Sequence, residues 1–239
     1  MLAELAACAR SYRRTPPAFR PWLMPAARHW ARGMRQTRAW APHLAHARAL
    51  LDTTIDDIPV RRTVAVLGSG PLFELPVESL ARTFERVVLV DRIHLSAIEG
   101  RIGRYANVTL DWRDLCPADN PGVLDFLQQV DGLDWVISAN LLSEMAAAVD
   151  PSRARVVVDR HLDALSDLPC PVTLITDLDY RVFNRHGVIR DSGDLLHGRP
   201  MPRSGLRWKW EAAPFREEAR HTRRVHYVAA WPDWRMARL

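Results

Sequence analysis

Two glycines and one acid, at a telling spacing, are where this sequence could do chemistry. Gly68 and Gly70 flank Ser69 directly after an apolar run, Val64 to Leu67, and Asp91 closes a second apolar run, Val87 to Val90. A glycine turn has no Cβ to hold a ligand away from the backbone. A carboxylate at the end of the second run can accept from both hydroxyls of a ribose. The chemistry implied is the holding of a nucleoside-containing cofactor, and Ser69 and Arg92 adjoin the groups that would do it.

Placing those groups takes a strand, a tight loop, a helix and a second strand, which is how Thr63 to Asp91 reads. That order is the first half of a doubly wound nucleotide-binding fold. A dinucleotide version of the loop needs a small residue three positions after its second glycine, so that a pyrophosphate can reach the helix start. Phe73 stands there instead and argues against it.

Beyond Asp91 the alternation continues. A helix is expected near Ser96 to Tyr105, a strand at Asn107 to Trp112, a helix near Gly122 to Val130 and a strand at Asp134 to Ala139. A helical region interrupted by Pro151 then runs to about Asp167, followed by a strand from Val172 to Thr176. Strands separated by helices imply parallel crossovers, hence an α/β fold with a doubly wound, mostly parallel sheet. The tail differs: a small hairpin is expected around Asn184 to Gly187. Two late strands, alternating at Leu206, Trp208, Trp210 and at Val225, Tyr227, Ala229, can pair antiparallel at a sheet edge.

Ahead of this lies a helical extension. Residues 2 to 14 suit a short helix ended by Pro16-Pro17, Pro21 and Pro25 open a second, and a third starts around Pro42. Leu23, Ala27, Trp30 and Met34 form one helical stripe and Trp40, Leu44, Ala47 and Leu51 another. Trp22, Trp30 and Trp40 are expected to pack this segment against the rest of the chain. The division implied is residues 1–58 as a helical cap and 59–239 as a Rossmann-like domain.

Composition sets outer bounds. With 48% hydrophobic and 26% charged residues, the 239-residue chain can bury a sizeable core. The net charge of +5 is concentrated early: residues 1 to 62 carry eleven arginines against Glu4, Asp52, Asp56 and Asp57. Such a basic segment fits either an anionic partner such as RNA or the solvated faces of helices. Cys8, Cys116 and Cys170 show no CxxC spacing, and no apolar run approaches the ~20 residues of a membrane span. A cytoplasmic protein is expected. The nine histidines show no HxH or HExxH spacing, so no metal site is expected.

From Thr63 onward the chain resembles the class I S-adenosylmethionine-dependent methyltransferases. Val64 to Gly70 resembles the glycine-rich motif of that family, and Asp91 the acid ending its second strand. NVTLDWRDL (residues 107–115) resembles its third strand and LDWVISANLLSEM (residues 133–145) its fourth. The late antiparallel pair resembles the reversed final strands. The resemblance implies S-adenosylmethionine as cofactor, Asp91 on the ribose and Asp114 on the adenine. It also implies Asn140 near the transferred methyl. The family often has an acid two residues before the first glycine, where this chain has Val66; Glu74, expected in the first helical turn, is either the substitute carboxylate or a solvated residue.

Other residues remain open. Glu144, one helical turn past Asn140, faces either the same cleft or solvent. Tyr180 and His197 are the candidate bases among the polar residues after the fifth strand. The acceptor expected is a small molecule. The alternative is a catalytically silent module holding RNA through its arginine-rich start, and a nicotinamide-dependent oxidoreductase is a third reading that Phe73 disfavours.

Overall fold

Apolar runs without alternation become strands covered on both faces. In the computed structural model, which describes residues 2–117 and 124–237, they form β1 (Thr63–Leu67), β2 (Arg86–Asp91), β3 (Val108–Trp112), β4 (Leu133–Ala139) and the start of β5 (Val172–Asn184). These five pair in parallel. β6 (Ile189–Asp194) pairs antiparallel with β5, as do β8 (Thr222–Trp231) with β5 and β7 (Leu206–Ala213) with β8. The sheet order is β3-β2-β1-β4-β5-β8-β7, with β6 on the outer stretch of β5. This is the mostly parallel, class I methyltransferase-like sheet with reversed late strands that the sequence implies.

Helices cover both faces. Val64, Val66, Val87 and Leu89 turn to one face, where they share a core with Trp40, Leu51, Leu80 and Ile98. Ala65, Leu67, Val88 and Val90 turn to the other, against Leu142, Val158 and Leu162. The helices on the first face are α2 (Leu23–Arg35), α3 (Thr37–Asp57), α4 (Val77–Thr83) and α5 (Ser96–Ile102), with α1 (Leu2–Tyr12) beside α2. On the second are α6 (Leu142–Ala147) and α7 (Pro151–Ser166).

Several expectations are corrected. A 3-10 turn at Pro17–Trp22 precedes α2, and Pro25 sits in the first turn of α2, where an amide would lack an intrahelical acceptor anyway. α3 begins at Thr37 rather than around Pro42, because Trp40 is buried in the core and its indole donates to the Ala212 carbonyl at 3.1 Å. That anchor outweighs the one bond Pro42 removes. On α2 the buried residues are Leu23, Ala27, Ala31 and Gly33, while Met34 is exposed. The expected helix near Gly122 to Val130 begins outside the described residues, and its described part is a 3-10 turn, Asp125–Gln129. β5 does not stop near Thr176 but continues to Asn184 through an irregularity between Asp177 and Asp179.

β4 is tied to α7 by a buried polar pair. His161 Nε2 lies 3.1 Å from Ser138 Oγ, both side chains are fully enclosed, and burial pushes the imidazole down to about 4. The unfolded chain therefore binds a proton that the folded chain refuses between about pH 6.5 and 4. Stability from this group is present above that window and is lost as pH falls through it, by about 3 kcal/mol. His161→Gln is expected to flatten the fall in unfolding temperature between pH 7 and 4. An unchanged slope would refute the assignment.

Candidate functional site

The strand order reverses between β1 and β4, and ligands of open α/β sheets bind at the carboxyl ends beside such a reversal. A cavity of about 760 Å³ opens there. Gly68 and Gly70 after β1, Asp91 at the end of β2, Asp114 after β3 and Asn140 after β4 all line it. Its far wall is Trp22, Pro25, Ala26 and His29, from the first turns of α2 and the residue before it. Ser69 is buried beneath the turn and is not part of the lining.

The glycine turn and the acid are one unit. Asp91 Oδ2 accepts from the Gly70 amide at 2.8 Å and Oδ1 from the Ile93 amide at 3.1 Å. The amides of Gly68 and Ser69 donate to the Val90 carbonyl at 3.0 and 3.3 Å. Gly68 has φ +72°, and a Cβ there would meet Leu141 Cβ at 2.9 Å and the Ala139 carbonyl at 3.2 Å. Glycine is thus needed at 68 for conformation and for space.

Asp114 is held rather than loose. Arg92 Nε donates to its Oδ1 at 2.7 Å, and the Cys116 amide does so at 2.8 Å. The Arg92 guanidinium lies 5.2 Å from the centre of the Trp22 ring, a cation–π contact linking the helical segment to this edge.

The loop after Gly70 departs from expectation. α4 starts at Val77, seven residues beyond Gly70, so Glu74 lies in the loop and not in a first helical turn. Phe73 packs against Gly33 of α2, where a Cβ would fall 2.1 Å from its ring, and meets Trp40 edge-on at 6.0 Å. Its carbonyl accepts from Arg48 Nε at 2.8 Å. Leu72 is fully buried with φ +60°. The residues that break the glycine pattern thus fasten the loop to the helical segment.

Glu74 is set by a chain of donors. Trp208 Nε1, which can only donate, lies 2.9 Å from His43 Nδ1, so that nitrogen is bare and the ring proton is on Nε2. Nε2 faces Glu74 Oε1 at 3.4 Å. His43 itself is sandwiched onto Trp210 at 4.4 Å. Burial acts to raise the Glu74 carboxyl, but the hydrogen bond from His43, with the His43 and His29 rings beside it, outweighs it and leaves the group below its usual range.

Asn140 takes φ +52°, a conformation asparagine tolerates better than most residues. Its side-chain oxygen accepts from the Asp177 amide at 3.2 Å, which ties β4 to β5 at the cavity floor. Glu144 lines the cavity and is at the same time exposed to water there. Partial desolvation first, then the charges of Asp91, Glu74 and Asp177, raise its pKa despite Arg92. His29 was not visible as a candidate. It lines the same space, and burial lowers its pKa against the pull of Glu74, Asp91 and Asp177. The signal was present in Trp22, Ala26 and His29, spaced i, i+4, i+7 on a face beside the buried stripe.

Tyr180 and His197 lie outside the cavity lining. Because β5 continues past Asp177, Tyr180 sits in the ladder with β6. There its hydroxyl donates to Asp191 at 3.1 Å, and that bond, with burial, raises its pKa, the wrong direction for a base. His197 is an exposed residue at φ +49° in the turn after β6. Of the eleven early arginines, seven (14, 20, 32, 35, 48, 61 and 62) bond to other parts of the protein. Among the described residues no cluster of three or more potential metal ligands occurs, and no helix is long and apolar enough to cross a membrane.

No protein-family model and no curated protein matches the sequence. Among solved structures the chain is similar to an N-methyltransferase, NodS, from Bradyrhizobium japonicum WM9, at 13% identity over 83% of this chain and 99% of that one, with a TM-score of 0.42. It is similar to DhpI in complex with SAH at 17% identity over 87% and 95%, TM-score 0.45. A third likeness is to a 1,6-didemethyltoxoflavin-N1-methyltransferase of Burkholderia thailandensis, at 14% identity over 95% and 88%, TM-score 0.42. At these values the likenesses carry no functional argument; the fold stands on the strand order and the site on its own residues.

Proposed function

We propose that the protein transfers a methyl group from S-adenosylmethionine to a small acceptor enclosed beneath the helices of residues 1–58. One observation carries this reading: Asp91 clamps the Gly70 amide while lining the cavity. A carboxylate fixed beside a bare glycine turn suits a ribose diol next to closely approached backbone. The late start of α4 supports a cofactor without phosphate, since no helix amino terminus lies at the turn to receive a pyrophosphate, and Phe73 fills the place where one would need a small residue.

When bound, the cofactor supplies an electrophilic methyl group on a sulfonium. The donor set fits it: Asp91 for the ribose hydroxyls, the Gly68–Ser69–Gly70 backbone and Glu74 for the amino-acid end, Asp114 with Arg92 for the adenine edge. Asn140 stands where this half meets the rest of the cavity. The chain's contribution to methyl transfer is then orientation and exclusion of water by the helical cover. A small acceptor is supported by the roofed volume and by the seven arginines already engaged within the protein.

Calorimetric titration with S-adenosylhomocysteine and, in parallel, NAD tests this. One site for the first and none for the second is expected. A folded protein that binds NAD, or that binds neither nucleoside while binding RNA in a salt-dependent manner, would replace this reading with the oxidoreductase or the RNA-holding one.

A further inference from the structure

Helix α1 is packed inside out. Its buried side holds Glu4, Ala7 and Ser11, at 8, 8 and 1% exposure, whereas Leu2, Leu5 and Tyr12 are 86, 52 and 51% exposed. Leu2, Leu5, Ala9 and Tyr12 recur at i, i+3, i+7 and i+10, so they form one stripe along the outside of the helix. Polar contacts hold the inner side. Arg35 donates to Glu4 at 2.8 Å, and the Ser11 hydroxyl donates to the Ala7 carbonyl at 2.8 Å while accepting from the Ser96 amide at 3.0 Å. Burying polar groups while leaving leucines in water reverses the usual sorting of side chains, and an apolar stripe left outside marks a surface that meets an apolar partner.

Charge narrows the choice of partner. Residues 5 to 51 contain nine arginines and no acid. Arg10 and Arg13 are exposed on one flank of the stripe and have no hydrogen bond or ion pair among the described residues. The same surface on a second copy of this chain would set arginine against arginine, and an RNA strand has no use for outward leucines. An anionic lipid surface satisfies both features, because acyl chains take the leucines, an interfacial tyrosine sits at the headgroups and guanidinium groups reach the phosphates. On the Arg10 flank a cavity of about 250 Å³ opens between α1, α2 and the start of α5. Ala3, Ala6, Ala7, Trp30 and Leu95 give it apolar walls, and Arg10 stands among them. Apolar space beside a free guanidinium fits a chain end below an anionic headgroup.

We propose that α1 lies in the surface of an anionic bilayer, with Leu2, Leu5, Ala9 and Tyr12 toward the acyl chains and Arg10 and Arg13 on lipid phosphates. With 11 residues the helix lies along the interface and does not cross it. The surface is separate from the larger cavity, whose lining includes no residue of α1. It therefore stands or falls independently of the methyltransferase reading.

The test is sedimentation of the full chain with vesicles of phosphatidylcholine alone and of phosphatidylcholine with about 30% phosphatidylglycerol. Partitioning to the anionic vesicles is expected to be at least about tenfold stronger, and to fall at least about fivefold as salt rises from about 0.1 to 0.5 M. Leu2→Ser/Leu5→Ser is expected to lower it at least about tenfold at an unchanged unfolding temperature, since both side chains already stand in water. Arg10→Gln/Arg13→Gln is expected to lose about tenfold on anionic vesicles, and Arg10→Lys/Arg13→Lys to keep most of the binding. Equal binding to the two vesicles, or binding to neither, overturns the proposal. So does a leucine variant that binds as the original protein does, which would leave charge alone as the cause. Dimers lost in the leucine variant, or salt-dependent RNA binding, either one without vesicle binding, overturn it in favour of a second copy or of RNA.

Discussion

Asp91→Ala is expected to weaken S-adenosylhomocysteine binding by at least 100-fold in calorimetry while leaving the protein folded. The carboxylate serves two purposes. It would accept from ribose hydroxyls, and it holds the Gly70 and Ile93 amides at 2.8 and 3.1 Å. Hydrogen bonds to a charged group contribute about 1.5–3 kcal/mol each, so two lost to the ligand correspond to roughly 100-fold or more. Asp91→Asn separates the purposes. Its amide oxygen can keep one backbone contact, but its NH₂ group faces the other donor, so affinity should fall less than in the alanine variant and more than tenfold. Binding by Asp91→Ala within threefold of the original protein would remove the ribose role, and with it the main support for the cofactor assignment.

How much of this was legible in the sequence follows from the range of the interactions involved. β1, β2 and β4 were legible because both of their faces are buried, so burial writes itself as the apolar runs Val64 to Leu67, Val87 to Val90 and Trp135 to Ile137. The glycine turn and Asp91 were legible because their spacing is local to one strand–loop–strand unit. The orientation of Glu74 was not, since its partner His43 is 31 residues away and the Trp208 that fixes His43 is 165 residues from it. Local pattern holds no trace of such pairs. Phe73 was read as hostile to a pyrophosphate, but its positive use, packing on Gly33, depends on a helix whose placement no periodicity reveals. Tyr180 and His197 were misplaced for a different reason. Asp177 and Asp179 interrupt the apolar run and mimic a strand end, whereas the strand passes through them with an irregularity, because Asp177 Oδ2 is paired to His226 Nδ1 at 2.7 Å on β8.

The arginine-rich beginning carries a similar lesson. A count of charges distinguishes a basic surface from a set of internal fasteners only when the partners are known. Glu217 alone meets Arg35 and Gln36 at 2.8 and 2.6 Å, joining α2 and its end to the connection between β7 and β8. Arg62 grips Asp134 through a two-pronged contact at 3.0 and 2.7 Å across the starts of β1 and β4. These carboxylates lie far along the chain, so part of the early excess of positive charge is balanced in space and not in sequence.

The two glycines of the turn should respond unequally to alanine, and the difference is a second large effect. Both have positive φ, +72° at Gly68 and +47° at Gly70, so each alanine carries the left-handed penalty of about 1–2 kcal/mol. At Gly70 the new methyl meets nothing closer than the Gly68 carbonyl at 3.8 Å, and the penalty ends there. At Gly68 it would stand 2.9 Å from Leu141 Cβ and 3.2 Å from the backbone oxygen of Ala139. Neither is the free end of a flexible side chain, so β1 and β4 must part at their carboxyl ends, which adds about 1–3 kcal/mol of overpacking strain. Gly68→Ala should therefore lower the unfolding temperature by roughly 5–15 °C, several degrees more than Gly70→Ala. Ligand affinity should rank differently from stability. Gly70→Ala leaves the strands in place but puts a methyl at the turn whose amide Asp91 holds, so its loss should appear mainly in S-adenosylhomocysteine binding, whereas Gly68→Ala should lose both. If Gly70→Ala bound the ligand as well as the unaltered protein, the turn would be a structural connection only, and the cofactor would have to be sought elsewhere in the cavity.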